Sequence, residues 1–291
     1  LAAVLAARGG GEGAFGGVML KDTAWHCAAI FAIARLGVVM VPMDWRWTPA
    51  EAESLATHFG VESILLEPDA PPFEAAAEIR LTPALAARAE AGADAPLASG
   101  GDRPVILSLS SGTPGRPTGP LATHAMMRAR IENQLAALTF NQHDRHLLAT
   151  PLYFGGGRAF AISHLAIGAT LILHSPPYAP QDLAAAVGAH RADTAFLVPT
   201  LIRRLLQLPD AALAPMRRLR VLVSSGAPLH PPEREEIAAR LTPGFMEYFA
   251  STEGGGVAIL PPGAWRAHPD SVGRAALGVE VEVVRDGVVD L

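Results

Sequence analysis

The sequence predicts an α/β fold of parallel sheets covered by helices. The first observation is alternation of apolar strands with helices near the start of the chain. Residues 23–36 space apolar side chains at helical intervals and run into Gly37, a fitting C-cap. Residues 38–41 then read as a buried strand. Thr48 and Glu51 make a capping-box start for the next helix, and Val61–Leu66 is a further strand. The second observation is that strand signals recur at residues 104–107, 167–173 and 220–224. The third is size and composition. With 291 residues, half of them hydrophobic, the chain can build one large or two ordinary domains around a sizeable core.

The elements follow in order. The opening Leu-Ala-Ala-Val-Leu-Ala-Ala-Arg lacks both a Met and a charged leading segment, so it is not read as a signal peptide, and the chain is expected to begin inside a longer product. Gly11-Glu12-Gly13-Ala14-Phe15-Gly16 matches G-x-G-x-x-G, but a helical stretch precedes it and a strand at 17–20 follows. The dinucleotide fingerprint needs the opposite order, so this is a loop. Residues 25–43 are apolar but broken by His26, Arg35 and Gly37, and no stretch reaches membrane-spanning length. Residues 68–101, rich in Ala, Pro and Gly, read as a surface connector with a weak helix near Pro83–Glu90. Net charge is −5, and no basic run offers a nucleic-acid surface. Cys27 is the single cysteine, which excludes an internal disulfide and fits a reducing, cytoplasmic setting. It lies in an apolar helical stretch, which fits core packing better than nucleophilic chemistry.

The chemistry concentrates after the apolar run Pro104-Val105-Ile106-Leu107. Ser110-Ser111-Gly112-Thr113-Pro114-Gly115-Arg116-Pro117-Thr118-Gly119 combines glycines, which let backbone N–H groups approach a ligand, with three hydroxyl donors. Such a loop suits phosphate. It is not a Walker A loop, since no Gly-Lys-Ser/Thr follows. Taken alone, the loop fits a plain strand-to-helix turn leading into a helix at 124–138 slightly better.

The loop resembles Thr-Ser-Gly-Thr-Thr-Gly-x-Pro-Lys-Gly, the phosphate loop of adenylate-forming enzymes, the superfamily of acyl-CoA synthetases, luciferases and peptide-synthetase adenylation domains. Pro114 stands where Thr or Ser is usual, and Thr118 stands at the lysine position, so a cation for the β/γ-phosphates is missing; Arg116 is the nearest candidate to replace it. Further matches arrive in the family's order. Gly37-Val38-Val39-Met40-Val41-Pro42-Met43-Asp44 is similar to Gly-Ala-Val-x-Val-Pro-Leu-Asn, and Thr123-His124 to the pair that opens the following helix. Thr123 is a candidate N-cap. Leu147 to Gly157 resembles Leu-Pro-Leu-Phe-His-x-x-Gly, which ends a strand beside the carboxylate pocket; a bare glycine turn also accounts for it. Ser225-Gly226-Ala227-Pro228-Leu229 resembles Gly-Gly-Ala-Pro-Leu. Tyr248-Phe249-Ala250-Ser251-Thr252-Glu253 resembles Tyr-Gly-x-Thr-Glu, and residues 271–280 resemble Val-Gly-Arg-Pro-x-Pro-Gly-Val-Glu. Residues 279–284 alternate as a strand, with a hairpin turn at Asp286-Gly287.

What the resemblance implies is specific. The fold would be two helix-flanked β-sheets plus a small distorted β-barrel, with residues 1–291 forming the large N-terminal domain and the barrel beginning near residue 270. The C-terminal lid domain with its catalytic lysine is absent, so the chain alone is expected to turn over poorly. The reaction would be ATP-dependent activation of a small carboxylic acid to acyl-adenylate, then transfer to CoA. Thr252 and Glu253 would be catalytic, Thr252 on the α-phosphate and Glu253 holding Mg²⁺, a hard cation that takes carboxylate and phosphate oxygens. Ser110, Ser111, Gly112, Thr113, Gly115, Arg116, Gly226, Ala227, Pro228, Tyr248, Phe249, Ala250 and Thr252 would bind the nucleotide. Phe154, Gly155, Gly156, Ala227 and Gly254 would line the acyl pocket. Gly155 stands where amino-acid-activating domains carry an amine-pairing Asp, which disfavours amino acids. Two other readings stay open: an adenylating domain that loads a carrier protein, and a nucleotide- or acid-binding module without turnover. A homodimer is a further expectation.

Overall fold

The computed structural model describes residues 1–8, 11–92, 94–95, 97–109, 118–285 and 288–290, with backbone alone at 285 and 288–290. The chain divides into two compact units, Leu1–Ala129 with Pro151–Ala159, and Arg130–Thr150 with Phe160–Leu291.

The first unit opens with α1 (Ala2–Ala6), β1 (Phe15–Met19), α2 (Ala24–Leu36), β2 (Val39–Pro42), α3 (Pro49–Phe59) and β3 (Val61–Leu66). Local chemistry sets these boundaries. Gly37 ends α2 in the left-handed conformation, and Thr48 and Glu51 close a capping box at the start of α3. Next come β4 (Ala77–Arg80), α4 (Pro83–Glu90), β5 (Pro104–Leu107) and β6 (Leu121–Thr123). The strands form one sheet in the order β4-β3-β1-β2-β5-β6, parallel except for the β5–β6 hairpin. Every residue of β2 is buried, as expected where helices cover both faces of a parallel sheet. Strand β4 corrects the reading of 68–101 as a connector. Only Ile79 of its four residues is buried, so an edge strand leaves almost no alternation in the sequence. The Arg80 guanidinium organises the preceding loop by donating to the carbonyls of Pro68, Ala70 and Pro71. Cys27 is buried and free, and burial pushes its thiol up to about 11, which makes it a packing residue.

Helix α5 (His124–Ala137) starts in the first unit, with the Thr123 hydroxyl accepting from Met126 N–H, and ends in the second. The second unit continues through β7 (Arg145–Leu148), most of α6 (Gly155–Ala166), β8 (Thr170–Leu173), α7 (Pro180–Ala189), β9 (Thr194–Phe196), α8 (Pro199–Leu206) and α9 (Asp210–Leu213). Then follow β10 (Val221–Ser224), α10 (Pro231–Arg240), β11 (Phe245–Ser251), β12 (Gly255–Leu260) and β13 (Arg274–Ala275). Their sheet order is β13-β12-β11-β10-β9-β7-β8, parallel from β8 to β11 and antiparallel at β12 and β13. A separate hairpin, β14 (Val283–Arg285) with β15 (Val288–Asp290), replaces the longer strand read at 279–284; its turn, Asp286-Gly287, lies outside the described residues.

Beside the aliphatic core of this unit runs a stack of rings. Phe196 and Phe160 lie face to face at 4.3 Å, His146 follows Phe160 at 5.8 Å, and His164 stacks on His146 at 4.0 Å. The Thr194 hydroxyl sits 2.9 Å from Nδ1 of His146, and both imidazoles are fully buried. Burial holds both below the ordinary histidine range, and each also feels a neighbouring positive partner or countercharge, His164 for His146 and Asp144 with Arg220 for His164. A depressed folded value means that stability is present above the unfolded value of 6.5 and is lost as pH falls below it. The thermal midpoint is therefore expected to drop between roughly pH 7 and pH 5. His146→Phe should flatten that drop in scanning calorimetry; an unchanged slope would show that the pair does not set it.

Candidate functional site

The site residues in the second unit follow from strand direction. Strand β10 lies between β9 and β11, all three parallel, and its four residues are buried. The chain leaves its carboxyl end through Ser225, Gly226, Ala227 and Pro228, the last three exposed. Gly226 has φ +99, which favours glycine, and a Cβ there would meet open space. Strand β11 pairs with β10 only as far as Glu247, so Tyr248 to Ser251 extend past that edge. Small residues at the carboxyl end of parallel strands leave room for a flat ligand.

Along this extension the pleat separates two aromatic side chains. Tyr248 is buried, and its hydroxyl donates to Oδ1 of Asn133 at 3.2 Å; burial pushes it up to about 12. Phe249 presents a ring that is 52% exposed. Of the two rings assigned to the nucleotide, Phe249 is therefore the accessible one, and Tyr248 anchors the strand. A register shift between Phe249 and Ala250 precedes the turn to β12. In that turn Thr252, Glu253 and Gly254 are exposed, and the Gly254 N–H donates to Oγ of Ser251 at 2.8 Å.

The turn is held from α5. Nη2 of Arg130 donates to the carbonyls of both Thr252 and Glu253. Asn133, on the same face of that helix, bonds Tyr248 and also donates to the Leu277 carbonyl at 2.9 Å. Sequence reasoning passed over Arg130 and Asn133, and their only signal is helical spacing: i and i+3 share a face. Glu253 is an exposed carboxylate with hard oxygen donors. No group of three or more His, Cys, Asp or Glu gathers among the described residues, so a cation here would depend on one carboxylate plus phosphate oxygens, which is the habit of Mg²⁺.

The first unit holds the other candidates. Phe154 is 48% exposed, and Gly155 and Gly156 begin α6. A helix start thus replaces the glycine turn; first-turn positions lack intrahelical N–H partners, so glycine costs less there. The preceding segment is pinned by groups the sequence did not single out. Leu152 N–H donates to Oδ1 of Asp22 at 2.6 Å, and buried Arg158 donates to the Tyr153 carbonyl at 2.7 Å. Arg46 donates to the Tyr153 hydroxyl at 2.7 Å and forks onto Asp44 at 2.7 and 2.9 Å. Burial pushes Asp44 up, but the Arg46 bonds pull it below the usual carboxylate range; burial leaves Asp22 raised. Ser110, Ser111, Gly112, Thr113, Gly115 and Arg116 lie outside the described residues. What frames them is the β5–β6 hairpin, with Leu107 opposite Leu121, rather than a direct strand-to-helix turn. Thr118 is exposed at the far end.

The family described as "AMP-binding enzyme" matches residues 1–289. The long-chain-fatty-acid–CoA ligase FadD13 of Mycobacterium tuberculosis is 27% identical over 302 residues, 98% of this chain and 59% of that protein. A feruloyl-CoA synthase of an Amycolatopsis species is 29% identical over 208 residues, 70% of this chain and 42% of that protein. The fatty acid–[acyl-carrier-protein] ligase ScoC of Streptomyces coeruleorubidus is 28% identical over 289 residues, 93% and 54% respectively. The chain thus spans between 42% and 59% of the length of these relatives. The inhibitor-bound N-terminal domain of FACL13 from M. tuberculosis superposes with a TM-score of 0.87 at 24% identity, over 99% of this chain and 76% of that one. That likeness is one of fold, and it matches the two helix-flanked sheets read from the sequence.

Packing under the turn yields a stability test. A Cβ at Gly256 would lie 1.8 Å from the Tyr248 hydroxyl oxygen. Gly256→Ala is expected to destabilise by about 1–3 kcal/mol through overpacking. Tyr248→Leu in the same chain should recover part of the loss in denaturant titrations; equal midpoints for wild type and Gly256→Ala would refute the contact.

Proposed function

We propose that this chain, which belongs to the AMP-binding enzyme family, activates a carboxylic acid with ATP and passes the acyl group to CoA. The observation that carries the reading is the exposed Thr252-Glu253 turn, with Gly226 to Pro228 at the carboxyl edge of the same sheet. Glu253 would hold Mg²⁺ together with phosphate oxygens, and that cation would neutralise charge on the phosphate chain. The Thr252 hydroxyl would donate to the α-phosphate. Phe249 and the Gly226–Pro228 turn would take the adenine, and the hydroxyls and N–H groups of 110–116 would wrap the outer phosphates. A substrate carboxylate oxygen attacks the α-phosphorus; the bond to pyrophosphate breaks and acyl-AMP forms. A thiol sulfur then attacks the acyl carbonyl and AMP leaves. The chain's part in the first step is positioning and charge stabilisation.

Phe154, Gly155 and Gly156 would face the acyl group, with Ala227 and Gly254 as the further lining residues named in the sequence reading. Gly155 stands where amino-acid-activating domains carry an amine-pairing Asp, which supports a fatty or aromatic acid. Names of relatives support the same class: they act on long-chain fatty acids and on ferulate. A carrier protein as acceptor is the second reading, favoured by the likeness to ScoC, an acyl-carrier-protein ligase. A single cysteine, with no partner for an internal disulfide, is in keeping with a cytoplasmic setting, and no helix among the described residues is long and apolar enough to cross a membrane.

Pyrophosphate release across a panel of acids is the deciding assay, run on the full-length protein. Fatty or aromatic acids are expected to drive release and amino acids not; the reverse ranking would overturn the acid class. Adding CoA or a phosphopantetheinylated carrier separates the two acceptors. Glu253→Gln is expected to weaken Mg·ATP binding in calorimetry, and unchanged affinity would remove Glu253 from the metal. Thr118→Lys restores a cation worth about 1.5–3 kcal/mol in a charged hydrogen bond, so ATP affinity should rise; no gain would show that the position does not face phosphate.

A further inference from the structure

We infer that Arg130 is a nucleotide-binding residue, giving the β- and γ-phosphates a cation from α5 while it fixes the Thr252-Glu253 turn. The inference rests on the activation reading above and adds a residue to it.

Four observations meet at this side chain. The guanidinium reaches the turn itself, where Nη2 donates to the Thr252 and Glu253 carbonyls. Those two bonds use one nitrogen of the fork, and no hydrogen bond within the described residues engages Nε or Nη1. No carboxylate among the described residues forms an ion pair with the group, in contrast to six arginines of this unit, at 203, 218, 220, 234, 240 and 266, that each have one. Its surroundings are desolvating as well, with the Tyr248 ring and the Glu253 carboxylate as the nearby titratable groups. A half-buried guanidinium with a full charge and unused donors, beside an exposed hydroxyl and an exposed carboxylate, suits a polyanion that brings its own cation.

The approach is built into the backbone. Gly255 has φ +75, and a Cβ there would sit 2.9 Å from Cγ and 3.1 Å from Nε of Arg130. Glycine lets the arginine stem cross the hairpin and deliver its head to the turn. The phosphate loop, by contrast, has Thr118 at its lysine position.

The test compares Mg·ATP with AMP by calorimetry on the full-length protein, because AMP has no β- or γ-phosphate. Arg130→Gln is expected to weaken Mg·ATP roughly ten- to hundredfold, the range of a lost charged hydrogen bond, and AMP less than threefold. Arg130→Lys should recover most of the ATP affinity, since it keeps the charge. Thermal midpoints of both variants are measured alongside. Unchanged ATP affinity in Arg130→Gln overturns the proposal. Equal losses for ATP and AMP, with a lower midpoint and no rescue by Lys, also overturn it, and would leave Arg130 as a clamp on the turn. Wild-type protein that binds neither nucleotide would bring down the activation reading itself, and this inference with it.

Discussion

The residues that α5 buries are amides, Asn133 and Gln134, and not an apolar stripe. Asn133 accepts from the Tyr248 hydroxyl and donates to the Leu277 carbonyl, and Gln134 accepts from Ser163 at 2.6 Å. A buried amide that loses its partner leaves an unsatisfied group, at a cost of about 1–3 kcal/mol. That penalty makes the arrangement directional. An apolar seam tolerates small slides, whereas these bonds allow one placement of helix against hairpin. The β11–β12 turn inherits its position from them, and with it Thr252, Glu253 and the exposed ring of Phe249.

Parallel strands impose the second constraint. Because β10 and β11 run the same way, both loops that leave their carboxyl ends emerge on one edge of the sheet. The small, hydroxyl and carboxylate residues are thereby grouped at the end of a scaffold whose β10 is buried throughout. The antiparallel return through β12 is what turns the Thr252-Glu253 segment into a tight hairpin rather than a long crossover.

Legibility followed how locally each feature is encoded. Caps at Thr48 and Gly37 and the helix Pro83–Glu90 were readable because a few neighbouring residues decide them. The motif residues around 226 and 252 were readable by resemblance, since their order survives even where Phe249 and Ala250 depart. Strand β4 was not, because a single buried Ile79 carries no period. Nor were Arg130, Asn133, Asp22 and Arg158, whose importance lies in partners between 5 and 144 residues away. A polar side chain that serves a distant backbone group looks in sequence like any solvated one. The split of aromatic roles between Tyr248 and Phe249 needed the strand's pleat, which a motif string does not contain.

One feature of the unit boundary bears on how this chain is made. The first unit is not continuous: residues 151–159 return to it after 130–150 have entered the second. The bond between Asp22 and the Leu152 amide closes a span of 130 residues, and the Arg46–Tyr153 bond one of 107. On a ribosome that releases the chain from its N-terminus, the first unit therefore cannot finish until the start of α6 has been synthesised, and by then β7 of the second is already out. Closing so long a span adds little entropy beyond a short one, because the cost grows only logarithmically. The delay is in order of events. Until Leu152 is made, the Asp22 carboxylate is short of its partner, so the first unit closes only after β7 of the second has been made.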